Sequence, residues 1–254
     1  MKRKETYLSR DFRETVALRF PARAKELNTA FDMRLSVLLA ENAGASKEKQ
    51  YHLKRQILPG IAAYETLQRV MPKEEALQTV HGYVERLART SHKQLAALLY
   101  IPGLYRLVPG VFVKSTRSVF GPAAGFDSKE LQVGNGIWRV DMMKCPYHDT
   151  CVAYGCPELC CCFCDSDDIS YTGLHPKLIW HRTKTLGRGD DRCDFSALPL
   201  SFVQSTPSGA CMPIGAFPMT ANASFQSRSL TARRSISRCR RAVWDWTSAA
   251  AAAR

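Results

Sequence analysis

The chain has 254 residues, 45% hydrophobic and 23% charged, with a formal net charge of +13. This is ordinary globular composition, sufficient to bury a sizeable core, and it excludes a fibrous or wholly disordered chain. The longest apolar runs, such as residues 95–100, fall far short of the roughly 18 to 20 residues of a bilayer-spanning helix, and no apolar signal region follows the basic start. The expectation is a cytoplasmic protein without a membrane partner.

Helical periodicity fills the first half. Leu27, Phe31, Leu35 and Leu38 recur at helical steps until Gly44 ends the pattern. Leu53, Ile57, Ile61, Tyr64 and Leu67 repeat it, with Pro59-Gly60 marking a break or a new first turn in the middle. Residues 74–100 continue with Leu77, Val80, Val84, Leu87, Leu95 and Leu98, behind Pro72 and the acidic Glu74-Glu75 that suit a helix start. From Ile101 onward, Pro102-Gly103, Pro109-Gly110 and Gly121-Pro122 predict a connecting region without long helices as far as Gly125.

Residues 136–142 then alternate, with Trp138, Val140 and Met142 on one face of a half-buried strand. After a cysteine-rich segment, residues 178–185 alternate again, Gly187 to Asp191 supply turn chemistry, and Cys193-Asp194-Phe195-Ser196 returns as the partner strand of a hairpin. The predicted fold is α+β, with an N-terminal helical layer over residues 20–100 packed on a small antiparallel sheet of residues 136–142, 178–185 and 193–197. The cysteine-rich segment is read as helical and the hairpin as C-terminal. One domain spans residues 1–200, with its motif-bearing part over residues 129–200.

Residues 201–254 differ in character. Lysine is absent, seven arginines face the single acid Asp245, and serine and alanine dominate. Two readings fit: a basic disordered arm for nucleic acid, or the product of a shifted reading frame that replaced the original ending. The second is preferred, because basic arms for nucleic acid ordinarily mix lysine with arginine.

Eight of the ten cysteines lie between Cys145 and Cys193. Without a secretion signal this concentration points to thiol chemistry, metal ligation or a buried helix that uses small sulfur side chains. Cys161 and Cys164 form a Cys-x-x-Cys that Cys145 and Cys193, or Cys151 or His148, could complete for zinc or another divalent metal. Only one such knuckle exists, so no cofactor is the leading expectation.

The ordered set Cys145-Pro146, Gly155-Cys156-Pro157-Glu158-Leu159, Cys164-Asp165-Ser166-Asp167, Arg182-Thr183-Lys184-Thr185-Leu186 and Cys193-Asp194-Phe195 resembles the L-2-amino-thiazoline-4-carboxylic acid hydrolase family. The resemblance implies hydrolytic opening of a five-membered cyclic isothiourea acid to N-carbamoyl-L-cysteine, a step in cysteine metabolism, with a small cyclic amidine as the substrate class. The run Cys160-Cys161-Cys162 lies outside that pattern.

Such a reaction needs a nucleophile, a proton donor for the departing sulfur and a cation for the substrate carboxylate. Cys164 and Asp167 supply the first two if that turn is helical, and Cys193 with Asp194 offers a second thiol and carboxylate. Arg182 offers a planar fork for the carboxylate, flanked by the hydroxyls of Thr183 and Thr185. A cation beside Cys164 would depress its pKa, whereas a carboxylate alone would raise it. Plainer readings stand beside these: Cys156, Cys160 and Cys164 as a core stripe, Arg182 as the ion-pair partner of Glu158 or Asp194, His148, His175 and His181 as solvated or capping groups, and Asp190-Asp191 as a turn. The expected pocket lies where residues 145–167 meet residues 178–195. A small-molecule or metal-binding sensor without catalysis is the alternative function, and nucleic-acid binding through the tail the third. Nothing in the sequence indicates an oligomeric state.

Overall fold

In the computed structural model, which describes residues 5–201, the first helix begins at a hydroxyl: the Thr6 side chain accepts the Ser9 amide at 3.2 Å and caps α1 (Tyr7–Arg19). Leu8, Phe12 and Val16 recur every fourth residue and are buried. Phe12 stacks on Phe31 of α2 (Ala24–Glu41), ring centroids 4.4 Å apart. The helical layer thus starts at Tyr7 rather than near residue 20.

Ser46 caps α3 (Lys47–His52), which passes through one π turn (Leu53–Ile57) into α4 (Leu58–Leu67). Pro59 stands in the first turn of α4, where the wider π turn just ahead accommodates a residue with no amide to donate. Every residue of α4 except Glu65 is buried, which makes it the central helix. Glu65 accepts from Arg34 of α2 at 3.0 Å. After Pro72, α5 (Lys73–Leu99) runs 27 residues, about 40 Å at the helical rise.

The region expected to lack long helices contains the ten-residue α6 (Val108–Arg117), with Pro109 in its first turn. The sheet follows: β1 (Asp127–Gly134), β2 (Ile137–Lys144), β3 (Leu178–His181) and β4 (Cys193–Pro199), in the order β1-β2-β4-β3 with antiparallel neighbours. Between β2 and β3 lie α7 (Pro146–Ala153) and α8 (Cys160–Tyr171). The result is the α+β arrangement expected, helices first and hairpin last. Trp138, Val140, Trp180 and Ala197 form the buried face of the sheet beneath Phe112 of α6 and Tyr171 of α8.

Two strand expectations need correction. β1 is a largely exposed edge strand without apolar alternation, tied to β2 by the two-residue turn Asn135-Gly136, whose φ values of 53° and 75° are those a tight hairpin turn requires. Residues 178–185 are strand only as far as His181. Beyond it the Asp194 carboxylate takes the amides of Thr183 and Lys184, at 2.8 and 2.5 Å, and draws the chain out of the ladder. The two readings of residues 201–254 concern a tail that, from residue 202 on, lies outside the described residues.

Candidate functional site

Helix α8 carries the site. It packs against α5, and Phe163 fills the space left by Gly60 of α4, where a Cβ would stand 2.7 Å from the Phe163 ring. Cys160 and Cys164, one turn apart, bring their sulfurs to 3.9 Å. Asp167 and Asp168 occupy the next turn. Arg182, just past β3, folds back onto this helix: its Nη2 donates to the Cys164 carbonyl at 2.8 Å and to Asp168 Oδ2 at 2.5 Å, while Nη1 lies 3.6 Å from Asp167 Oδ2. Nη1 makes no hydrogen bond. Trp180 Nε1 donates to the other Asp168 oxygen at 2.9 Å. The Arg182 side chain is 1% exposed, whereas those of Asp167 and Asp168 are each 41% exposed. The arginine is therefore sealed behind two carboxylates that solvent and small molecules can reach.

Burial is the main cause that raises Asp167 to about 7, with Arg182 opposing it and Asp168 and Asp165 adding to it. Asp167 is desolvated on the side that faces Arg182 and open to solvent on the other. Burial also works against the Arg182 charge, but the aspartates outweigh it and raise its pKa. Cys164 is lowered, first by the Cys160 thiol that donates to it, against burial, and further by Arg182 and Arg188. The same pairing, with burial, raises Cys160. Of the two sulfurs Cys164 is the one whose thiolate is favoured, since the Arg182 and Arg188 charges act on it.

Residues 50–196 match the sequence family described as L-2-amino-thiazoline-4-carboxylic acid hydrolase, more than half of the chain. The chain belongs to this family. No curated protein and no solved structure matches it. The stretch matching the hydrolase family runs from α3 into β4 and holds every site residue named above; α1 and α2 lie outside it.

In this member of the hydrolase family the turn at residues 186–188 covers the sulfur pair. A Cβ on Gly187 would stand 2.9 Å from Cys164 Sγ and 3.2 Å from Cys160 Sγ, so only glycine fits without movement. Cys161 donates to the Gly187 carbonyl at 3.0 Å. Arg188 bonds Asp165, whose second oxygen lies 3.1 Å from His81 Nε2 on α5. That pairing is the first cause raising His81; in Asp165, His81 and Arg188 overcome burial and the pKa falls. Cys193 accepts the Leu186 amide at 3.3 Å and is pushed up to about 12 by burial. Burial raises Cys145 as well.

The other sequence candidates fall elsewhere. Asp194 binds Thr183 through both its amide and its hydroxyl, 2.8 and 2.5 Å, besides the Lys184 amide. The buried Thr185 gives its amide to Asp190 at 2.8 Å, so Asp190 holds this loop. Glu158 pairs with Lys73 at 2.8 Å and Tyr64 at 2.6 Å, so neither Glu158 nor Asp194 is the partner of Arg182; Asp168 and Asp167 are. His148 stands 3.6 Å from Asp149. Among the described residues no three His, Cys, Asp or Glu side chains converge as a metal ion requires, so Cys145, Cys161, Cys164 and Cys193 do not form a tetrahedral set.

Sequence reasoning missed Asp168 and the His81–Asp165–Arg188 chain. A signal existed for the first: one helical turn after Cys164 reaches residue 168 as well as 167. None existed for His81, which is 84 positions from Asp165.

Proposed function

We propose that the chain hydrolyses a small cyclic amidine or isothiourea acid, such as L-2-amino-thiazoline-4-carboxylate to N-carbamoyl-L-cysteine, with Cys164 as nucleophile. The observation that carries this reading is the pairing of a thiol of lowered pKa with an accessible carboxyl near 7 on consecutive turns of α8. The first is shifted toward its thiolate and the second is partly protonated at neutral pH, the directions that nucleophilic attack and leaving-group protonation need.

The Cys164 sulfur adds to the ring carbon between nitrogen and sulfur. The tetrahedral centre collapses by breaking the bond to the ring sulfur, which leaves as a thiol with the proton of Asp167. The substrate is then held through an acyclic isothiourea to Cys164. Water, giving its proton to the Asp167 carboxylate, adds to the same carbon, and expulsion of the Cys164 thiolate releases the carbamoyl product. Net consumption is one water.

The amidinium of the substrate faces the two accessible aspartates, whereas its carboxylate does not reach Arg182, whose Nη1 is buried behind them. Arg182 acts instead by holding Asp168 in place and by favouring the Cys164 thiolate. Asp194, Thr183 and Thr185 act in this reading by holding the loop that sets Arg182 in place.

The test is incubation with 2-amino-thiazoline-4-carboxylate while free thiol is followed. Turnover by the parent chain and a drop of 100-fold or more in Cys164→Ser are expected. Full turnover by that variant moves the nucleophile to water, and ligand binding without any turnover by the parent chain favours a sensor.

A further inference from the structure

Five of the fourteen exposed large hydrophobic side chains among the described residues fall within residues 98–111: Leu98, Tyr100, Ile101, Leu107 and Val111, each between 49% and 67% exposed. They lie about the corner where the chain bends by 117° between α5 and the segment of residues 104–117. Beneath them Leu99, Val108, Leu174 and Leu178 form a small core of their own, so the outer residues are not needed to complete packing. A concentration of this kind marks a contact surface rather than scattered surface apolarity.

The charge of the same region is one-sided. Between Glu85 and Asp127 the sequence has no acidic residue and six bases. Arg86, Arg89 and Arg117 pair with Asp11, Glu85 and Glu130. Lys93, Arg106 and Lys114 pair with no carboxylate among the described residues. Lys177 adds a further cation: with Tyr100, Ile101, Tyr105 and Arg106 it lines a surface groove of about 340 Å³ at this corner.

Aliphatic side chains, tyrosines and uncompensated bases on one protruding corner suit an interface whose outer layer is anionic and whose inner layer is hydrocarbon. Ile101 and Leu107 enter the acyl boundary, the tyrosines lie at headgroup level, and the long basic side chains reach the phosphates. Single-stranded nucleic acid is held by aromatic stacking along a basic groove, and DNA admits leucine or isoleucine only as single wedges between base steps, so five exposed apolar side chains favour lipid. We propose that this corner docks the protein on an anionic lipid surface. No single described helix is long and apolar enough to cross a membrane. The docking proposed is peripheral, and it departs from the expectation of no membrane partner.

The full chain is sedimented with phosphatidylcholine vesicles with and without phosphatidylserine. Binding that needs the anionic lipid is expected. Neutralising Lys93, Arg106 and Lys177 together with glutamine should weaken it about 100-fold, at about 1 kcal/mol per base. Because the arginine-rich tail can add its own attraction, the deciding variant is Ile101→Ser with Leu107→Ser, which keeps every charge and should weaken binding at least tenfold with unchanged thermal unfolding. Three outcomes overturn the proposal: that double variant binding vesicles as the parent does, the parent ignoring vesicles while binding heparin or DNA, or the double variant dissolving a dimer of a parent chain that ignores vesicles.

Discussion

Asp168→Asn removes one charge from the cluster around Arg182 while keeping the size of the side chain and an oxygen for Trp180. The guanidinium left behind is 1% exposed, so water cannot replace the lost partner, and the nearest remaining carboxylate oxygen is that of Asp167 at 3.6 Å instead of 2.5 Å. Stranding a buried charge costs about 3–5 kcal/mol. Asp168 is itself 41% exposed, which weakens the pair at the outset, so a loss of about 2–3 kcal/mol is expected. The opposite change, Arg182→Met, keeps the apolar stem and leaves two carboxylates within reach of solvent; its cost is smaller, about 1–2 kcal/mol. Urea unfolding with equal m-values for all three chains gives the comparison. A second readout is the Asp167 carboxyl followed by NMR: Asp168→Asn should lower it from about 7, and Arg182→Met should raise it. Arg182→Met proving as destabilising as Asp168→Asn, or both moving Asp167 the same way, refutes the account of a cation sealed behind accessible carboxylates.

Asp167 should also make stability pH-dependent. Its folded pKa of about 7 exceeds the usual unfolded value near 3.9, so between about pH 4 and 7 the folded state holds a proton that the unfolded state has lost, and this contribution to stability falls as pH rises through that window. Asp167→Asn should flatten that part of the profile; an unchanged slope places the titration elsewhere. Brief iodoacetamide exposure with peptide mapping should modify Cys164 before the other buried thiols, Cys151, Cys156, Cys160, Cys162 and Cys193, and Cys160→Ala, which removes its hydrogen-bond donor, should slow that reaction severalfold at neutral pH. Alkylation spread evenly over these thiols would count against a charged Cys164. Gly187→Ala places a methyl 2.9 Å from Cys164 Sγ and should cost about 1–3 kcal/mol while altering the Cys164 alkylation rate; a variant with parental stability and reactivity means that the turn does not cover the sulfurs.

The parts of the fold legible in the sequence were those with a sustained period. Leu27, Phe31 and Leu38 are buried on α2, and Trp138, Val140 and Met142 on β2, because burial of one face is what writes a period into the chain. β1 faces solvent on much of its surface and writes none; its one signal was the Asn135-Gly136 turn. In the site, Cys164, Asp167 and Arg182 could be named because they lie in neighbouring motifs. The partners of Arg182 could not be, since three carboxylates on α8 compete for it and only the path of the chain after His181 decides among them. His81 was invisible for a related reason: its contact with Asp165 is made by α5 packing on α8, a tertiary event that neither local sequence announces.

The strand order bears on how the protein is made. β4 is the last strand of the described chain, yet it sits between β2 and β3. As the polypeptide leaves the ribosome, α1 to α5 can already close around α4, whereas β2 waits with Trp138, Val140 and Met142 along an open edge, and β3 has no neighbour, until residue 199 has emerged. The site is late for the same reason, since Arg182 reaches Asp168 through the loop that Asp194 of β4 pins. Nascent chains stalled before β4 should therefore hold a formed helical layer beside a sticky, unpaired hairpin, and chaperone capture of this protein should be concentrated in that interval of its synthesis.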